Sequence, residues 1–103
     1  MNYSENFEGI KLDIQAVDIT ITDDLQQSIR DMINRLKRHI SEVNFVDVYF
    51  KDKSEKSTDP KTVSIRFGIP GNDAFASDSG DNWMALLKSV EEKLRRQLEK
   101  AQR

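Results

Sequence analysis

The chain contains no cysteine, which excludes disulfide scaffolds, thiolate nucleophiles, zinc fingers and iron-sulfur clusters together. Its single histidine, His39, rules out the paired and triple histidine spacings of common metal sites. The four glycines are scattered and build no loop that could cradle a phosphate. No apolar run approaches the ~20 residues that a membrane-spanning helix needs. Met1-Asn2-Tyr3-Ser4-Glu5 has neither the basic nor the apolar region of a secretion signal. The expectation is a cytoplasmic chain without membrane contact, in which the sequon Asn2-Tyr3-Ser4 is a chance match. A dominant charge is lacking too: 16 Lys and Arg against 18 Asp and Glu leave a net of -2, so no bulk basicity advertises a nucleic-acid partner. A polyanion site would have to arise by local segregation of charge.

What is present is a chain of 103 residues, the size of one domain with one core. Ile10, Leu12 and Ile14 alternate with polar residues, which predicts a strand over about 9–17. Residues 1–8 are read as a flexible N-terminus and 9–103 as the single domain. Thr22 followed by Asp23 and Asp24 has the chemistry of a helix N-cap and first turn. Leu25, Ile29, Met32, Ile33, Leu36 and Ile40 then follow at 3 and 4 spacing, a helix near 23–40. Val46, Val48 and Phe50 form a second alternation, and Val63, Ile65, Phe67 and Ile69 a third. The polar stretch Asp52 to Lys61 between them reads as a mobile loop. Ile69 to Asp73 is a turn, and Ala74 to Ser77 a short strand whose small alanines allow a helix to approach. Trp83, Leu86, Leu87, Val90, Leu94, Leu98 and Ala101 trace one apolar stripe of a second helix, with Trp83 expected over Ala74 and Ala76. The order predicts an α+β two-layer sandwich, β-α-β-β-β-α, with two helices on one face of a four-stranded sheet.

Enzymatic chemistry has little to stand on. His39 falls in the last turn of the first helix, where a solvated histidine complements the dipole. Asp73, Asp78 and Asp81 stand in turn and cap positions with no general base pattern beside them.

Charge segregation is more informative. Residues 1–29 carry one basic and six acidic side chains, 30–39 carry four against one, and 84–103 carry six against three. Both helix N-termini carry acids that repel phosphate, so basic surface belongs to the later halves of both helices. At 100° per residue, Arg30, Asn34, Lys37 and Arg38 lie opposite the first helix's apolar stripe, with Arg35 on a flank. On the second helix Lys93, Arg96 and Lys100 form a row beside the stripe, while Lys88 and Arg95 line its other flank. The plainer alternative is a solvated face laced by pairs such as Glu92 with Arg96. A further candidate is the open sheet face, where Tyr49 and Phe75 would stand beside Lys11, Lys51 and Arg66 and could stack single-stranded bases.

Several segments together resemble one family. Ile19-Thr20-Ile21-Thr22-Asp23-Asp24-Leu25, Arg35-Leu36, Ala76-Ser77, Gly80 and Lys93-Leu94-Arg95-Arg96-Gln97-Leu98-Glu99-Lys100 are similar to the ribosome hibernation promoting factor and protein Y family, also known as sigma-54 modulation proteins. The resemblance implies a fold like a double-stranded RNA-binding domain with an added first strand. It also implies a non-enzymatic factor of the short form, bound to ribosomal RNA of the small subunit at the decoding channel and excluding tRNA and mRNA. By motif, the RNA contacts would map to Arg35, Lys93, Arg96 and Lys100, with Arg30, Lys37, Arg38, Lys88 and Arg95 as further candidates. Gln26 and Met32 stand where family members often carry Arg and Lys. Neither a cofactor nor a small-molecule substrate is expected. The competing readings are a protein-binding module of the same fold and, more distantly, a small acid-base enzyme using His39 with Asp78 and Asp81.

Overall fold

A computed structural model describes residues 2–17, 19–52 and 61–101. In chain order these form strands β1 (Asn2–Phe7) and β2 (Ile10–Val17), helix α1 (Asp23–Leu36) with a 3-10 turn over Lys37–His39, strands β3 (Phe45–Asp52), β4 (Lys61–Gly68) and β5 (Ala74–Gly80), and helix α2 (Trp83–Ala101). The strands lie in the order β1-β2-β3-β4-β5. Only β2 and β3, joined through α1, run parallel; the other neighbours are antiparallel.

The alternations seen in sequence become rows across the sheet. Leu12 pairs with Val46 and Val46 with Phe67, Ile14 with Val48 and Val48 with Ile65, Ala16 with Phe50 and Phe50 with Val63. All of these side chains are buried and face the helices. Leu25, Ile29, Met32, Ile33 and Leu36 of α1 and Leu86, Leu87, Val90, Leu94 and Leu98 of α2 close the same core, which among the described residues contains no buried polar or charged side chain. Thr22 caps α1 as its chemistry predicts, its Oγ1 accepting from the Leu25 N–H at 3.1 Å.

Among the described residues the sheet has five strands, which corrects the expected four. The additional strand is β1, from residues left outside the domain in the sequence reading, and it pairs with β2 from Asn2↔Gln15 to Phe7↔Ile10. Glu5 hid it. Tyr3, Glu5 and Phe7 face the helix layer, and the acid breaks the apolar alternation because it meets Arg30 rather than the core. A two-residue turn joins the strands, with Glu8 at φ 52 and Gly9 at φ 86, the left-handed pair that such hairpins require.

Trp83 also departs from expectation. It is half-buried and stands edge-on to Phe50, 5.3 Å between ring centroids, with Lys61 Nζ 5.7 Å from a ring centroid. The reason is connectivity. Only Asp81 and Asn82 separate β5 from α2, so the helix runs back along β5, its first residue stays beside the end of that strand, and its last turns lie over Ala74 and Ala76. The first helix is shorter than predicted because residues 37–39 tighten into the 3-10 turn. Residues 53–60 of the expected mobile loop lie outside the described residues.

Candidate nucleic-acid interface

The two helices lie side by side and run in the same direction. Three contacts fix this: Ser28 with Met84 at 3.7 Å, Arg35 with Glu91 at 2.7 Å and His39 with Glu99 at 3.8 Å, each later on both helices than the one before. The helix N-termini therefore share one end of the domain, with Asp23 and Asp24 in the first turn of α1 and Asp81 ahead of α2. The basic later halves, separate in sequence, share the other, where cations complement both helix dipoles.

Within that arrangement the candidate cations differ in what they touch. Arg30 is turned toward β1: its Nε donates to Glu5 Oε1 at 2.8 Å and its Nη2 to the Tyr3 hydroxyl at 3.0 Å. The hydrogen bond from Arg30 holds the Glu5 carboxyl below its ordinary value. Arg35 forms a bidentate pair across the helices with Glu91, at 2.8 and 2.7 Å. Arg95 is held along its own helix by Glu92 and Glu99, and the hydrogen bond to Glu92, then that to Glu99, raises its affinity for the proton. Lys37 Nζ is 3.9 Å from Glu8.

Lys93 and Gln97 have work in the fold. Lys93 Nζ donates to the Ser77 carbonyl at 3.0 Å and lies 3.8 Å from Asp78. Asp78 also accepts from the Ser89 hydroxyl, and that bond, followed by one from the Ser79 N–H, holds its carboxyl low. Gln97 accepts from the Phe75 N–H at 2.9 Å and donates to the Phe75 carbonyl at 2.6 Å. Together they occupy backbone groups on the outer edge of β5. Sequence pattern pointed to Gln97 only as a family position; its hydrogen-bonding role had no local signal.

The remaining cations are freer. Arg96 is 3.4 Å from Glu92 with 68% of its side chain exposed. Arg38, Lys88 and Lys100 are exposed and have no ion-pair partner among the described residues. Lys88 borders a shallow groove of about 220 Å³ between the helices, with Ser28, Asp31, Arg35 and Met84.

The open sheet face carries the expected Tyr49, Phe75, Lys11, Lys51 and Arg66, but acids stand among them. Arg66 lies 4.9 Å from the Phe75 ring centroid and 3.6 Å from Asp73, and Lys11 lies 3.8 Å from Asp13. Asp13 and Asp47 are cross-strand neighbours; burial, then the Asp13 charge, pushes the Asp47 carboxyl up. A face with neighbouring carboxylates suits a polyanion poorly.

The rival catalytic grouping is not assembled. His39 sits by Glu99 and Asp78 by Ser89, about 15 Å apart along α2 at 1.5 Å per residue. Among the described residues no cluster of three or more His, Asp or Glu could hold a metal ion, and no helix is long and apolar enough to cross a membrane.

A mixed five-stranded sheet with two parallel helices on one face defines an α+β two-layer domain. Residues 12–103 match the family described as "Sigma 54 modulation protein / S30EA ribosomal protein", and the chain belongs to that family. It is 28% identical over 97 residues to the ribosome hibernation promoting factor of Acinetobacter guillouiae, covering 88% of this chain and 86% of that one. Its fold is similar to the Thermus thermophilus protein Y N-terminal domain, with a TM-score of 0.75, 17% identity and coverage of 88% and 96%. A ribosomal subunit interface protein from Coxiella burnetii gives a TM-score of 0.67 at 17% identity, again with 88% and 96% covered.

Proposed function

We propose that this protein is a non-enzymatic ribosome hibernation factor of the cytoplasm. It binds small-subunit ribosomal RNA near the decoding channel, where it keeps tRNA and mRNA out. Membership of the family supports the ribosome as partner. One observation carries the choice of surface: the parallel helices gather Arg38, Arg96 and Lys100 at one end, with Lys88 along the groove leading to it.

The cations divide into two sets under this reading. Arg38, Lys88, Arg96 and Lys100 meet phosphates directly, since they have little or nothing to give up. Arg35 and Arg95 sit in ion pairs open to solvent, which hold weakly, so a phosphate can replace the carboxylate. Lys93 serves first to hold β5. Neutralising phosphates releases counterions, so binding is salt-dependent even at a net charge of -2.

The number of cations already paired within the fold favours a second reading, a protein-binding module. Co-sedimentation of the protein with purified small subunits across a salt series tests the two. Association that falls steeply with salt, together with inhibition of translation, supports RNA binding; salt-independent association supports the module.

A further inference from the structure

The strand β1 and the turn after it lie outside residues 12–103, which carry the family match, and they bring two acids to α1. Glu5 faces the helix layer from β1 and holds Arg30, whose side chain is only 23% exposed. Seven residues on, in the 3-10 turn that ends α1, Lys37 lies 3.9 Å from Glu8. Glu8 stands at φ 52, in a turn position where backbone preference favours Asn, Asp or Gly. The acid is therefore placed against local preference, at the point from which it reaches Lys37. Arg30 and Lys37, which sequence periodicity puts toward water, are thus both paired with acids of one hairpin.

We propose that Glu5 and Glu8 determine where a polyanion docks: the acidic hairpin occupies the Arg30–Lys37 side of α1 and leaves Arg38, Lys88, Arg96 and Lys100 as the docking face. The proposal rests on the RNA-binding reading above. A phosphate approaching Arg30 must displace a carboxylate and a tyrosine hydroxyl from a partly buried pair, which salt screens less than a surface pair.

The test compares three proteins on purified small ribosomal subunits and on a labelled RNA duplex: the parent, Glu5→Gln/Glu8→Asn, and Asp24→Asn/Asp81→Asn. The last makes the same net charge change at the far ends of the helices, on exposed acids. The hairpin variant is expected to bind about tenfold tighter, with a salt slope steeper by about 1–2, and the control to stay within about twofold of the parent. Adding Arg30→Gln/Lys37→Gln to the hairpin variant should abolish the gain. Glu8→Asn alone improves the turn chemistry, so its thermal midpoint should not fall, which separates freed charge from a loosened hairpin. An unchanged hairpin variant, an equal gain in the control, or a gain that survives removal of Arg30 and Lys37 overturns the proposal. A parent that fails to bind small subunits even at low salt removes the RNA-binding reading itself; a parent that binds beside an unchanged hairpin variant removes only this inference.

Discussion

Phe45 and Gly68 face one another across β3 and β4, and the Phe45 ring occupies the space beside the glycine. A methyl group at Gly68 would stand 2.1 Å from the ring, closer than any real contact, so the position needs glycine for space rather than for its backbone angle. Gly68→Ala should force the ring outward and cost about 1–3 kcal/mol, as overpacking does; an unchanged thermal midpoint would mean the ring moves freely. Asp47 predicts the opposite sign. Burial and Asp13 raise its pKa in the folded protein, so the folded state pays a penalty that is absent below the unfolded value of about 3.9 and develops as pH rises through it. Asp47→Asn should therefore raise the thermal midpoint at pH 7, and the difference should vanish in scans below about pH 4. A variant less stable than the parent at pH 7 would contradict this.

At the scale of elements, one sheet edge shows how unpaired backbone is managed. The outer strands are β1 and β5, and the outer backbone of β5 is engaged by Lys93 and Gln97. Gln97→Ala removes both side-chain bonds to Phe75 and should cost about 1–2 kcal/mol, with faster amide exchange at Phe75 than at Ala76. Equal protection in parent and variant would show that the edge does not depend on Gln97. The same elements explain what was legible in the sequence. Period-2 alternation gave β2, β3 and β4 because each has one buried face, and 3–4 spacing gave both helices. The strand β1 was not legible because Glu5 replaces an apolar residue for the sake of Arg30, a partner 25 positions away. Helical phase placed Lys93, Arg96 and Lys100 in a row, but it carries no information about acceptors on other elements. Ser77 and Asp78, which engage Lys93, became visible only once α2 lay against β5.

For the whole molecule, near-neutral composition conceals a polar distribution, acids in the first turn of α1 and just ahead of α2 and cations toward the helix ends, which the parallel helices turn into a difference between two ends of the domain. Family membership supplies the ribosome as the partner to test, and the surface to test is the proposed one. The most direct measurement is the affinity for purified small subunits over a salt series, for the parent and for Arg38→Gln/Lys88→Gln/Arg96→Gln/Lys100→Gln. Each exposed substitution should change stability by no more than about 0.5 kcal/mol, so a thermal scan checks that the variant is folded. The predicted result is a folded variant with weakened binding and a salt slope reduced by about 3; a folded variant that binds small subunits with the parent's affinity and slope would contradict the assignment of this surface.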